Sequence, residues 1–163
     1  MSQINPFNHD LNFKSDEMYL VIFGVPIGKG RPRVTTRGGF ARAYTPQRTA
    51  NYESLVVDSY YKQIPSRYQL EGPIEASIEA YFPIPSGTSK KNKLLMLDNK
   101  IMHTHKPDID NIEKSVLDAL NEKAYKDDSL IVRVKAEKFY SDIPRVEIRL
   151  KEIEKNDGYD ETS

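Results

Sequence analysis

Apolar residues recur along this chain at two different spacings, which separate the predicted strands from the predicted helices. Four segments have the β-branched and aromatic composition, or the alternation of apolar and polar residues, that is typical of strands. These segments are residues 18–25, 74–82, 130–140 and 145–150. The last two are expected to pair with each other as an antiparallel hairpin.

Three further segments have the spacing of helices. Thr45 and Pro46 are suited to begin the first helix as N-cap and first helical residue, and Pro65 ends it. Residues 89–99 predict a short basic helix, and residues 110–122 predict a third helix. The predicted inward face of the first helix is Tyr52, Leu55, Val56, Ser59, Tyr60 and Gln63. That of the third helix is Ile112, Val116, Ala119 and Leu120.

The order of these elements predicts an α+β domain, in which helices cover one face of a small mixed β-sheet. The domain is expected to span residues 18–151. Residues 1–17 are polar and without pattern, which predicts a flexible N-terminal arm, and residues 152–163 predict an acidic, flexible tail.

The composition narrows the class of protein. Of the 163 residues, 38% are hydrophobic and 29% are charged, with a mean hydropathy of -0.63. No run of apolar residues is long enough for a transmembrane helix, and the N-terminus lacks the features of a signal peptide. The absence of cysteine excludes disulfides, thiolate metal sites and cysteine nucleophiles. A cytoplasmic protein is the expectation.

The net charge of zero conceals a strong segregation of charge along the chain. The segment 24–50 contains no acidic residue, and the segment 89–106 has five lysines against the single Asp98. Cations without acidic neighbours predict contacts with the phosphate backbone of a nucleic acid. The basic residues of the first segment are Lys29, Arg31, Arg33, Arg37, Arg42 and Arg48.

Carboxylates are concentrated at both ends of the third predicted helix. Asp108 and Asp110 precede it, Lys114 follows one turn later, and Asp127 and Asp128 come after the helix. Carboxylates held close together repel one another, so such a cluster usually implies a divalent cation. Two hard cations bound by carboxylates are one means of hydrolysing a phosphodiester. The pattern therefore predicts a magnesium-dependent phosphodiesterase site.

Plainer interpretations of the same residues remain open. Asp108 and Asp110 could be a helix cap and a surface charge, with Asp110 as the N-cap. Asp127 and Asp128 could be turn residues. His103 and His105, which precede the aspartates, could belong to a zinc site. Asp118 could lie near the carboxylate site or be an exposed structural residue.

The spacing Asp-x-Asp-Asn-x-x-Lys-x-x-x-Asp-Ala-Leu, followed by Asp-Asp, resembles the RusA family of Holliday-junction resolvases. The resemblance extends over residues 18–150 and includes the upstream Lys-Gly-Arg-Pro-Arg and Tyr-Thr-Pro segments. It implies a homodimeric endonuclease that uses Mg²⁺, with Mn²⁺ as a substitute, and nicks four-way DNA junctions symmetrically in recombination and repair. It also implies a RusA-like fold.

The resemblance gives roles to individual residues. It implies that Asp108, Asp110 and Asp128 bind the metal and that Lys114 is the catalytic lysine. Lys106 stands where some members have a run of arginines. With the glycine- and arginine-rich segment 26–43, called the basic loop below, it completes the predicted DNA-binding set of Lys29, Arg31, Arg33, Arg37 and Lys106. Two other functions remain as alternatives, a metal-dependent nuclease for flaps or single strands and a non-catalytic junction-binding protein.

Overall fold

The fold is a five-stranded mixed sheet with helices packed on one face, and the α+β class predicted from the sequence is confirmed. The computed structural model describes residues 13–14, 16–64 and 68–153. The strands are β1 (Phe13–Lys14), β2 (Glu17–Phe23), β3 (Arg33–Thr35), β4 (Arg42–Tyr44), β5 (Ile74–Pro83), β6 (Ile131–Ser141) and β7 (Arg145–Glu152). The helices are α1 (Gln47–Gln63), α2 (Lys90–Leu97) and α3 (Ile109–Leu120).

The sheet order is β1-β2-β7-β5-β6, so the predicted hairpin of the last two strands is wrong. β7 lies between β2 and β5 and is antiparallel to both, whereas β6 pairs in parallel with β5 at the edge. The burial of the two strands gives the physical reason. β7 buries Val146, Ile148 and Leu150, which suits a central strand, while β6 exposes Val132 and Val134, which suits an edge.

The hydrophobic core lies between one face of the sheet and helices α1 and α3. The alternation predicted for β5 is confirmed, since every second side chain from Ile74 to Phe82 is buried. The predicted inward face of α3 is also buried, together with Ser115. On α1 the predicted face is buried except for Leu55, which is exposed, and Thr49 is buried in addition.

The starts of two helices differ from the sequence prediction. Pro46, rather than Thr45, occupies the N-cap of α1, and no side chain caps that helix. Asp108 occupies the N-cap position of α3 in an extended conformation, so Asp110 lies within the first turn instead of capping it. A carboxylate in the first turn is still favoured there, because the helix dipole places partial positive charge at that end.

The ends of the chain show one departure from expectation. Phe13 and Lys14, in the segment predicted as a flexible arm, pair with β2 as a short strand. The remaining parts of that arm, residues 1–12 and 15, lie outside the described residues, as do residues 154–163 of the predicted acidic tail. None of the helices formed by the described residues combines the length and apolar character that a membrane crossing requires.

One edge of the sheet is closed by a side chain of α1. The buried amide of Gln63 accepts a hydrogen bond from the backbone N–H of Val21 at 2.9 Å and donates to its carbonyl at 2.6 Å. Among the described residues, β1 pairs only with Glu17 and Met18 of this edge, and the amide takes the place of a neighbouring strand at Val21. This pair of bonds fixes the end of α1 to the sheet.

Candidate active site

The first two candidate ligands lie at the exposed start of α3. Asp108 and Asp110 belong to the N-cap and the first turn, and their side chains are 51% and 60% exposed. The chain reaches them through residues 105–107, which are called the lead-in below. The pattern of apolar residues in α3 fixes the helix against the core, so these carboxylates face away from it.

Each of these carboxylates has a lysine as its counter-ion. The ammonium of Lys106 lies 2.7 Å from both carboxylate oxygens of Asp108, and that of Lys114 lies 3.6 Å from Asp110. The hydrogen bond from Lys106, helped by the positive charge of Lys138, holds the pKa of Asp108 below its ordinary value. Asp108 is therefore held as an anion at neutral pH.

These residues fit a magnesium ion in their donor chemistry. Exposed ion pairs between lysine and aspartate contribute little free energy, so a divalent cation can replace the lysines. Magnesium prefers oxygen ligands and keeps several waters, and one or two carboxylates plus a substrate phosphate are sufficient to hold it. Within the described ranges, however, no three histidine, aspartate or glutamate side chains come together as a ready-made metal centre.

The third candidate ligand, Asp128, lies on a different element from the first two, after the end of α3. It begins a single 3₁₀ turn before β6. Burial raises the pKa of Tyr125, and the negative charges of Asp118, Asp128 and Asp127 raise it further. Asp118 is eight residues beyond Asp110, about 12 Å along the axis of α3. Asp108 and Asp110 therefore lie at the start of α3, whereas Asp118 and Asp128 both act on Tyr125.

Asp127 has the turn role that the sequence allowed for it. Its carboxylate accepts hydrogen bonds from the backbone N–H and the hydroxyl of Ser129, and these bonds lower its pKa. A carboxylate held in this way closes the turn before β6. Asp128 makes no comparable side-chain hydrogen bond among the described residues, which leaves its oxygens accessible to a ligand.

The basic loop lies directly beside the lead-in. Gly28 packs on Pro107 so closely that a Cβ at this glycine would lie 2.7 Å from the Cβ of Pro107, a separation that real side chains do not allow. The loop and the lead-in enclose an open groove of about 610 Å³. The cations that line this groove are Arg31, Arg33, Arg48 and Lys106. Arg37 is exposed farther along the loop, in the turn that joins β3 to β4.

Lys29 differs from the other cations of the loop, because its ammonium is already neutralised. It lies 2.5 Å from Asp118 on α3 and 3.3 Å from Glu53 on α1. Partial desolvation favours the neutral lysine, but the two carboxylates outweigh it and raise the pKa of Lys29. The backbone N–H of Lys29 also donates to the carbonyl of Asn111 at 2.8 Å. Lys29 thus fixes the loop to two helices.

The two histidines pack as part of an aromatic group. The ring of His103 stacks on Phe82 with centroids 3.9 Å apart, and it lies 5.1 Å from the ring of Tyr140. His105 contacts it edge-on at 5.8 Å. Burial, followed by the charges of Lys138 and His105, lowers the pKa of His103. The ring therefore helps to hold the segment between α2 and α3 against the sheet.

Sequence reasoning missed three residues that organise this region. Glu53 and Asp118 hold Lys29, and Lys138 of β6 donates to two carbonyls of the lead-in. Lys29 and Asp118 are 89 residues apart, and Lys138 is 33 residues from His105. No local pattern connects residues at such separations. The only available signal was that Asp118 lies two turns from Asp110 on the helix.

Comparisons with known proteins identify the family of the chain. A family model described as "Endodeoxyribonuclease RusA" matches residues 24–151, a range that contains the three helices and the acidic and basic candidates. The chain is also 35% identical over 140 residues to the uncharacterized protein YqaN of Bacillus subtilis (strain 168), and this alignment covers 85% of the chain and 98% of the relative. The chain therefore belongs to the RusA family of endodeoxyribonucleases.

Proposed function

We propose that this protein is a magnesium-dependent endonuclease that nicks four-way DNA junctions symmetrically, as a homodimer, in recombination and repair. Its family supports endodeoxyribonuclease activity. The observation that carries the proposal further is the position of two exposed carboxylates, Asp108 and Asp110, beside the groove that contains Arg31, Arg33 and Arg48. Anions that can hold a metal thus lie next to cations that can hold phosphates.

Asp108, Asp110 and Asp128 are the proposed metal ligands. When bound, Mg²⁺, or Mn²⁺ in its place, would stabilise charge on the scissile phosphate and generate a nucleophilic water. Lys106 and Lys114 neutralise the first two carboxylates in the structure, and metal binding would release both ammonium groups. Lys114, one turn along α3, is then available to donate to a non-bridging phosphate oxygen as negative charge develops there.

Arg31, Arg33, Arg37 and Lys106 are the proposed phosphate contacts, with Arg48 added by the structure. Such contacts position the DNA backbone without reading its sequence. Lys29 was predicted to belong to this set, but Asp118 and Glu53 already neutralise it. We therefore propose that Lys29 supports DNA binding indirectly, because it fixes the loop that presents the arginines.

The homodimer is supported by symmetry and by the division of the carboxylates. A four-way junction has two-fold symmetry, and two symmetric nicks require two sites. Among the described residues of one chain, Asp128 does not join Asp108 and Asp110 in a group of three carboxylates. A second copy that brings its Asp128 to the first turn of α3 would complete a set of three carboxylates at each site.

The decisive experiment measures folding, junction binding and cleavage for Asp110→Asn. We expect normal melting, junction binding that is unchanged or tighter because a repulsive charge is removed, and no nicking in Mg²⁺. Asp58→Asn, which neutralises an exposed carboxylate of α1, is the matched control and should cut normally. If the folded Asp110→Asn variant still nicks DNA, the assignment of Asp110 to the metal site is wrong.

The same assay compares four-way, flap and linear substrates, which separates the proposal from its alternatives. We expect metal-dependent cutting that prefers four-way junctions and nicks two strands of the junction symmetrically. A preference for flaps or single strands would assign the site to another branched-DNA nuclease. Junction binding without any metal-dependent nicking would indicate a non-catalytic junction-binding protein.

A further inference from the structure

One lysine of β6 is bound to the backbone of the lead-in rather than to a carboxylate. The ammonium of Lys138 donates to the carbonyl of His105 at 2.8 Å and to the carbonyl of Pro107 at 3.2 Å. Pro107 immediately precedes Asp108, the first candidate ligand. The contact therefore joins the sheet to the chain at the point where the candidate site begins.

The partners of Lys138 distinguish it from other lysines of the protein. Lys135 on the same strand pairs with Glu137 at 2.9 Å, and Lys93 pairs with Asp142 at 3.3 Å. Lys138 is half-buried, and among the described residues it forms no ion pair with a carboxylate. An ammonium removed from water requires compensation, and here backbone carbonyls supply it. The core does not need a lysine at this position, since an apolar side chain would suit a half-buried strand.

The two carbonyls fix the direction of the chain. They belong to residues two apart, and one ammonium can bind both only when the backbone between them turns around it. Gly28 packs on the ring of Pro107 and restricts the same segment. The lead-in is thus held by β6 through hydrogen bonds and by the basic loop through packing. Its position determines where the N-cap residue of α3 places its carboxylate.

We propose that Lys138 is a positioning residue, which holds the lead-in so that Asp108 and Asp110 present their carboxylates together to the metal. The identification of those carboxylates as metal ligands rests on the proposed function. The role of Lys138 in ordering the lead-in rests on its own contacts. It touches neither substrate nor metal, and it acts through the backbone of His105 and Pro107.

The test compares three variants of the full-length protein. Lys138→Met removes the ammonium and retains a side chain of similar length. Lys138→Arg retains a cation that can donate to both carbonyls. Lys135→Met is the matched control, because it removes one positive charge from the same strand without touching the lead-in. Should Lys138→Met fail to fold, Lys138→Gln takes its place, since its amide can donate to one carbonyl.

Three measurements are made on each variant. Hydrogen exchange follows the backbone amides of residues 105–110, titration calorimetry with MnCl₂ measures metal binding without DNA, and the nicking rate is measured at saturating junction and varied Mg²⁺. We expect Lys138→Met to exchange faster in this segment and to lose about 10–100-fold in metal affinity or cleavage, as for other residues that orient metal ligands. Junction binding in EDTA should change by less than about twofold, since phosphate contacts are unaltered.

The control variants decide between positioning and a general loss of structure. Lys138→Arg should restore metal affinity and the nicking rate to within about threefold of wild type, and Lys135→Met should behave as wild type. Unchanged exchange in Lys138→Met, or faster exchange with unchanged metal affinity and cleavage, would overturn the proposal. If the wild type cuts no junction while Lys138→Met still loses Mn²⁺ affinity, the proposed substrate is wrong and the role of Lys138 stands.

Discussion

At the scale of single residues, the lysines of this protein show how local partners determine the role of a cation. Lys29, Lys106, Lys114 and Lys138 all lie close to the candidate site, yet they bind different groups. Lys106 and Lys114 form exposed pairs that a metal or a phosphate can displace. Lys29 and Lys138 have a structural role, because their ammonium groups connect elements that are distant in sequence.

The contrast between Lys29 and Arg31 gives the first prediction at this scale. Lys29→Met should lower the free energy of unfolding by about 1–2 kcal/mol, because the charged hydrogen bond to Asp118 and the ion pair with Glu53 are lost. It should leave the slope of log affinity against log salt unchanged. Arg31→Met should reduce that slope by about 0.9 with little effect on stability. Urea unfolding and salt titration of junction binding measure both. If Lys29→Met instead reduces the salt slope and leaves the free energy of unfolding unchanged, Lys29 is a phosphate contact.

His103 gives a prediction about pH. Its pKa is lowered in the folded protein, so the unfolded chain binds more protons. The stability that the neutral ring provides is present above its unfolded pKa, about 6.5, and is lost as pH falls through the lower folded value. His103→Phe keeps the stacking on Phe82 and removes this titration. Melting temperatures at pH 8 and pH 5.5 should therefore differ less in the variant than in wild type. An equal difference would show that His103 does not contribute to acid sensitivity.

At the scale of elements, the sequence predicts the kind of each element better than its neighbours in the sheet. The alternation in β5 and the helical spacing in α3 identify both, because burial of one face is a local pattern. The position of β7 between β2 and β5 depends on pairing over long separations, which no local pattern records. The N-cap of α3 is Asp108 instead of the predicted Asp110, two residues earlier, and Asp110 therefore lies in the first turn.

For the candidate site, too, the sequence predicts what depends on local pattern and misses what depends on packing. The sequence predicts that Asp108 and Asp110 precede one helix and that Lys114 follows one turn later, and the structure has all three at the start of α3. It does not predict that no three of the described carboxylates converge, or that Lys29 is bound by two carboxylates. Those contacts depend on how α1, α3 and the loop pack in three dimensions.

The closure of the sheet edge by α1 gives a prediction for this scale. Gln63→Leu should lower the free energy of unfolding by roughly 2–4 kcal/mol, because the N–H and carbonyl of Val21 lose their partners in a buried setting. Gln47→Leu, at the exposed start of the same helix, should change it by less than about 0.5 kcal/mol. Urea unfolding of both variants provides the measurement. Equal effects would show that the edge of β2 finds other partners.

At the scale of the whole molecule, the segregation of basic residues suggests binding to DNA. The absence of a group of three carboxylates among the described residues suggests assembly with a second copy. A mixed dimer tests the second point. Asp110→Asn and Asp128→Asn should each be inactive alone, whereas an exchanged 1:1 mixture should recover about a quarter of wild-type sites, because half of the dimers then carry one intact site. Asp110→Asn mixed with Asp108→Asn is the control and should recover nothing. No recovery in the first mixture would place all three carboxylates in one chain.

The pairing of β2 with β7 has a consequence for the synthesis of the protein. The strand that begins at Glu17 forms its long ladder with the strand that begins at Arg145, and β5 joins the rest of the sheet through that same late strand. During translation β2 and β5 leave the ribosome well before the strand that lies between them. Because such distant pairing is slow to form, the edges of β2 and β5 that pair with β7 keep unpaired backbone N–H and C=O groups until β7 has emerged. Growing chains of this protein therefore have a long interval in which protection by chaperones matters.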